Sequence, residues 1–126
     1  EISGCCLQMR LRDYARFGQF VLADGVTASG QRIVPEGWFT AAGTRQADIG
    51  RPGFGYGYQW WTYDDGSFAA QGIFGQGIFI DPARKLVIVG VGNWPTATDQ
   101  RRSMARLAFY RSVQAQVDAE RAGRAP

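Results

Sequence analysis

The run Gln71-Gly72-Ile73-Phe74-Gly75-Gln76-Gly77-Ile78-Phe79-Ile80-Asp81-Pro82 sets three glycines inside an otherwise unbroken series of aromatic and β-branched residues. Glycine gives a strand nothing to pack and loosens it, so it marks a bulge or a close approach of ligand or backbone. The pattern predicts a kinked strand with a strip of main chain left open along a sheet edge. Fixed, open N–H groups are what a site needs if it is to hold a developing negative charge. On pattern alone, a bulge that only twists the sheet accounts for the same glycines.

Around this segment the chain reads as helices first and strands later. Leu11, Tyr14, Ala15, Gly18, Val21 and Leu22 recur at helical spacing, and Asp24-Gly25 closes that helix. Ile33-Val34 is a short extended piece, after which Pro35 opens a second helix in its first turn. Gly43 to Gly55 is glycine-rich and reads as a surface loop. Tyr56 to Tyr63 is aromatic on both parities, as expected for one strand covered on both faces. Asp64-Asp65-Gly66 is a turn, followed by a strand from Ser67 to Ile73, the kink, and Gly77 to Ile80. A second turn at Asp81–Lys85 leads to Leu86–Val91, whose continuous apolar run predicts the most central strand of the sheet. Asp99 to about Arg121 forms a long helix with a stripe of Met104, Leu107, Tyr110, Val113 and Val117. The fold class expected is α+β: a helical part over 1–50, a three-strand antiparallel meander over 54–94, and a terminal helix over 99–121 packed on the sheet. The sheet's outer edge has no partner in the chain, and the early helices have no evident core of their own. A larger body is therefore expected, and the start at Glu1-Ile2-Ser3 without methionine reads as a trimmed chain. Uncovered edges of this kind favour self-association.

Composition narrows the chemistry. Apolar residues make up 45% and charged residues 20% of 126, which describes a folded domain or part of one. No stretch approaches the roughly 20 apolar residues of a membrane span. The net charge is +3, and the arginines (Arg10, Arg12, Arg16, then Arg101, Arg102, Arg106 and Arg111) are scattered as on solvated helix faces. A nucleic-acid surface would concentrate them, and none interleaves with Tyr56, Tyr58 and Trp60 on the strands, so no nucleic-acid partner is expected. Histidine is absent, which removes histidine triads and histidine-ligated metals from this chain. Cys5 and Cys6 are adjacent and read as buried small residues near a helix start. None of Ser3, Ser29, Ser67, Ser103 and Ser112 has a lysine three residues on or sits in a Gly-x-Ser-x-Gly elbow. Asp64, Asp65 and Asp81 lie at turns, where carboxylates are structural by default. A complete active site does not assemble from these residues.

Half of one does, by resemblance. Arg12-Asp13-Tyr14-Ala15-Arg16-Phe17-Gly18, Asp24-Gly25, Gly30-Gln31, Ile33-Val34-Pro35 and Trp38 resemble a helix–turn–helix stretch of the β-lactamase-related serine hydrolases. Gly55-Tyr56-Gly57-Tyr58-Gln59-Trp60-Trp61, Gly72 to Gly77, Asp81-Pro82 and Asn93-Trp94 are similar to the C-terminal sheet of the same family, in its 6-aminohexanoate-dimer hydrolase and esterase branch. The order and spacing of these pieces, more than any one of them, carries the likeness, which runs from about Gly4 into the last helix. It implies the C-terminal portion of a β-lactamase/transpeptidase-like fold. The nucleophilic serine of a Ser-x-x-Lys turn and its assisting tyrosine would then lie upstream.

In that family a Lys-Thr-Gly element borders the cleft, and its place here falls on Ala70-Gln71-Gly72. The missing lysine or histidine fits the esterase and amidase branch. The residue after that glycine supplies an oxyanion-hole N–H, a role that carries over to Ile73, with Gly72 letting a substrate carbonyl approach without a Cβ clash. Gln71 borders the cleft, Gln76 either binds substrate or caps the kink, and Trp60, Trp61 and Trp94 either line an acyl or amide pocket or belong to the core. Where Arg10 stands the family often has a capping threonine, so this helix start should be weaker. The resemblance implies a small-molecule ester or amide substrate, acyl-enzyme chemistry and no metal or organic cofactor. The alternative is a non-catalytic homologue acting as a binding or scaffold module.

Overall fold

In the computed structural model, which describes residues 7–124, three helices and six strands follow one another in chain order. The helices are α1 (Leu11–Leu22), α2 (Trp38–Ala42) and α3 (Gln100–Ala122). The strands are β1 (Ala47–Asp48), β2 (Phe54–Tyr56), β3 (Trp61–Tyr63), β4 (Phe68–Gln71), β5 (Gly77–Asp81) and β6 (Leu86–Gly90). They form one antiparallel sheet in the order β1-β2-β3-β4-β5-β6. The fold is α+β as expected. Among the described residues no helix is long and apolar enough to cross a membrane. Cys5 and Cys6 lie outside the described residues.

The expected three-strand meander is instead a six-stranded one, for two local reasons. The aromatic run Tyr56–Tyr63 is not a single strand. Gly57 donates to the Trp60 carbonyl at 2.8 Å and Gln59 takes a φ of 64°, so the chain reverses between β2 and β3. The supposed kink at Gly72–Gln76 is likewise a full reversal, because Gln71 pairs with Gly77 and the ladder runs back to Phe68 against Ile80. The strand carrying Gln71 pairs with β5 along its whole length but with β3 only at Phe68 and Ala69, so the strip of main chain open toward the β3 side is confined to its end, from Ala70 into the turn. The loop expected over 43–55 contains β1, which adds an outer strand against β2.

The apolar run 86–91 also sits differently from its expected central position: β6 is the last strand of the sheet, and β5 is the one with every residue buried. A continuous apolar run reports cover on both faces, not a place in the hydrogen-bonding order. On one face α1 lays Phe17, Phe20 and Val21 against Ile78, Ile80 and Val87. The approach is close enough that a Cβ at Gly18 would stand 2.5 Å from Val87 Cγ1. On the other face Tyr110 of α3 stacks on Phe79 with ring centroids 4.5 Å apart, and Tyr63 and Ala69 complete that layer. Burying side chains of this size stabilises by about 1.5–3 kcal/mol each.

Helix ends follow local chemistry. Arg10 stands at the N-cap of α1 without a side-chain cap, as the lost threonine implies. Asp24, just past α1, turns its carboxylate onto the N–H groups of Gly37 and Phe39 at 2.7 and 3.2 Å and so fixes the start of α2. Asp99 caps α3 by accepting from Arg102 N–H at 2.9 Å.

The stripe expected on α3 is only partly apolar in its burial: its two buried residues are Tyr110 and Gln114, and Met104 is exposed. Polar ties hold the rest of the helix. Gln114 donates to the fully buried Asp81 at 2.5 Å and to Asp65 at 3.1 Å. Arg84 bridges Asp81 at 2.9 Å and Asp118 at 2.7 Å, and Arg111 pairs with Asp65. Asp65 and Asp81 are structural, as turn carboxylates were expected to be. Arg106 and Arg111, expected on a solvated face, instead face the sheet.

Candidate active site

The turn between β4 and β5 holds four of the residues singled out from the sequence: Gln71, Gly72, Ile73 and Gln76. Gly72 N–H donates to the Gln76 carbonyl at 2.9 Å, and Gly75 N–H reaches the Gly72 carbonyl at 3.3 Å. Phe74 N–H donates to Gln76 Oε1 at 3.2 Å, so Gln76 caps the turn with its own side chain. That side chain fills the space a Cβ at Gly72 would need, with Oε1 only 2.4 Å from it. The segment after β6 supports the turn from outside, since Trp94 N–H donates to the Phe74 carbonyl at 3.1 Å and Thr98 N–H to the Ile73 carbonyl at 2.8 Å. Gly75, at φ 95°, lies directly on Trp94.

Within this braced turn Ile73 is 54% exposed. Among the described residues its N–H donates to no main-chain or side-chain acceptor, while its neighbours on both sides are committed. The turn is thus a braced carrier on which the Ile73 N–H is a free main-chain donor.

Behind it lies a chain of side chains in which Tyr63 and Arg106, not singled out from the sequence as site residues, join Gln71. Gln71 Nε2 donates to the Tyr63 hydroxyl at 2.7 Å. Gln71 Oε1 accepts from Arg106 Nη2 at 2.7 Å, and Arg106 Nη1 donates to the Gln76 carbonyl at 2.9 Å. The guanidinium also lies 5.0 Å from the Trp94 ring. Burial pushes the Tyr63 hydroxyl up to about 12, reinforced by the neighbouring Tyr110 and opposed by Arg106, Arg111 and the Gln71 hydrogen bond. It stays a neutral phenol that accepts from Gln71. The signal for Arg106 was its four-residue offset from Tyr110 on α3, which puts both on the helix face toward the sheet.

The three tryptophans do not converge. Trp60 is buried in the layer beneath α1, edge-on to Phe68 at 5.2 Å. Trp61 and Trp94 lie on the α3 face, Trp61 against Tyr56 at 4.9 Å and Trp94 under Arg106. Trp61 borders a recess of about 160 Å³ with Tyr63, Gln71 and Leu107. Trp94 borders a groove of about 350 Å³ between β6 and α3. Ile73 lines neither.

An antiparallel sheet with helices on both faces, carrying a glycine-rich turn, is the architecture of part of a beta-lactamase-like domain. The beta-lactamase family model matches residues 7–111, and the chain belongs to that family. The curated 6-aminohexanoate-dimer hydrolase of Paenarthrobacter ureafaciens is 39% identical over 95 residues, which is 67% of this chain and 24% of that protein. A solved structure from Bacillus anthracis, assigned as a 6-aminohexanoate-dimer hydrolase, superposes with a TM-score of 0.73 at 27% identity. That match covers 86% of this chain and 29% of the other. The chain thus spans about a quarter of the curated relative it matches.

Proposed function

We propose that this chain supplies the oxyanion-stabilising turn of a serine hydrolase that cleaves small esters or amides through an acyl-enzyme. The nucleophilic serine, with the lysine and tyrosine that move its proton, would come from polypeptide outside residues 1–126. The observation that carries this reading is the free N–H of the exposed Ile73, set between Gly72 and Phe74, whose amides are both engaged within the turn. A donor that is already oriented costs nothing to reorganise when charge develops on the substrate oxygen, so it favours the transition state over the ground state. The two relatives' names, both 6-aminohexanoate-dimer hydrolases, support testing such a dimer among the first substrates, and the reading invokes no cofactor.

The experiment uses the longer polypeptide that contains this chain, assayed on p-nitrophenyl butyrate and on a linear 6-aminohexanoate dimer. Ile73→Pro deletes the donor and Ile73→Ala keeps it. Loss of one oxyanion donor lowers kcat by about 10²–10³-fold, so the proline variant is expected to fall by that factor and the alanine variant to stay within a few-fold of wild type. Equal activity of the two variants would refute the role of this amide. Residues 1–126 alone are expected to be inactive, and turnover by them that serine modification abolishes would contradict the missing nucleophile. A longer polypeptide that folds, is inert on both substrates and takes no label from a serine-reactive phosphonate would be the non-catalytic homologue.

A further inference from the structure

We infer that Arg106 is the positioning residue of the Ile73 turn, clamping the two ends of the β4–β5 hairpin from the α3 side; its catalytic consequence rests on the reading of Ile73 as the oxyanion donor. The ladder between β4 and β5 ends at the pair Gln71 and Gly77, and beyond it the turn has only its own short hydrogen bonds and those from 94–98 to hold its shape. Arg106 acts where that ladder stops. One planar guanidinium donates to the Gln71 side chain on the outgoing strand and to the Gln76 carbonyl at the start of the returning one. Two N–H groups of a rigid fork fix the separation of the strand ends in a way that a lysine ammonium, a single point donor, does not.

The fork is itself held. Trp94 packs on it, and the same tryptophan donates its main-chain N–H to the Phe74 carbonyl. Gln71 is oriented at its other end by Tyr63, so its Oε1 has one place to be. The polar groups that face Arg106 are thus Gln71 and the Gln76 carbonyl, with the Trp94 ring on its flank. Arg106 carries no carboxylate partner among the described ion pairs, whereas on the same side of the sheet Arg84 has two and Arg111 has one. A guanidinium that engages the hinge of a turn and no counter-ion is placed for geometry more than for charge.

Misplacing a reacting group by about 1 Å can cost on the order of 10²-fold in rate. In the longer polypeptide, Arg106→Met is expected to lower kcat by about 10- to 100-fold with KM within about two-fold, because the turn loosens while the rest of the cleft stays. Arg106→Lys is expected to recover part of that loss. Arg84→Met is the control for helix docking: it cuts another tie between α3 and the sheet, from Asp118 to the β5–β6 turn, away from Tyr63 and Gln71, and is expected to leave kcat unchanged. Hydrogen exchange supplies the second measurement, with faster exchange of the peptide spanning 72–77 expected in Arg106→Met and not in Arg84→Met. Unchanged exchange at the turn in Arg106→Met overturns the clamp, as does an equal fall of kcat in the two methionine variants. Faster exchange at the turn in a polypeptide that has no turnover at all upholds the clamp and removes the oxyanion reading instead.

Discussion

At the scale of single residues, Gly75 shows how tightly the turn is specified. Its φ of 95° is one that side chains avoid, and an added Cβ would sit 2.3 Å from Trp94 Nε1. Strain of this kind costs about 1–3 kcal/mol, and overpacking adds to it. Gly75→Ala is therefore expected to lower the unfolding free energy by about 2–4 kcal/mol, measured by urea titration, and to depress kcat with it. The glycines at 72, 75 and 77 were legible as a special stretch of backbone, and Ile73 was named only through the resemblance, from its place after Gly72. Their meaning as a hairpin was not. A bulge and a reversal draw on the same glycines, and only the pairing of Gln71 with Gly77 separates them. For Arg106 only its helix face was legible, from its offset to Tyr110; its partners lie 30 and 35 positions away, and local spacing carries no record of those contacts.

At the scale of elements, the sequence conveyed which segments are helix and strand better than where each strand lies. The run 86–91 packs on α1 with one face and borders a groove against α3 with the other, with Val91 exposed, and its apolar pattern is silent about which strands flank it. The stripe on α3 was similarly overread. Its docking is largely polar, through Asp65, Asp81, Arg84, Arg111, Gln114 and Asp118. This attachment should weaken in acid. Burial pushes the Asp65 carboxyl up, but hydrogen bonds from the Ser67 hydroxyl and N–H, Gln114 and Arg111 outweigh it and hold the group below the usual 3.8. A carboxyl lowered in the fold stabilises above its unfolded value, and that contribution is lost as pH falls through the folded one. Asp65→Asn should accordingly lower the urea midpoint at neutral pH, with the gap to wild type closing as the pH falls below the usual 3.8. A gap that stays constant across that range would show that the charge of Asp65 is not what anchors α3.

At the scale of the whole molecule, β6 ends the sheet with one side of its main chain unpaired among the described residues. Val91 and Phe109 are exposed beside it, at 62% and 56%, along the groove between β6 and α3. An apolar strand edge of this kind invites another strand. Residues 1–126 in isolation are expected to self-associate, with a weight-average mass by light scattering that climbs with concentration. Val91→Lys should reduce that climb by setting a charge at the edge. A monodisperse monomer at every concentration would contradict the open edge.

The simple winding of the sheet has a kinetic corollary. Since each strand lies beside its predecessor in the chain, loops between partners are short and little entropy is lost in closing them. The hairpins can zip up in succession soon after synthesis, leaving the docking of α1 across β5 and β6 as the slower, long-range step that locks the layers together.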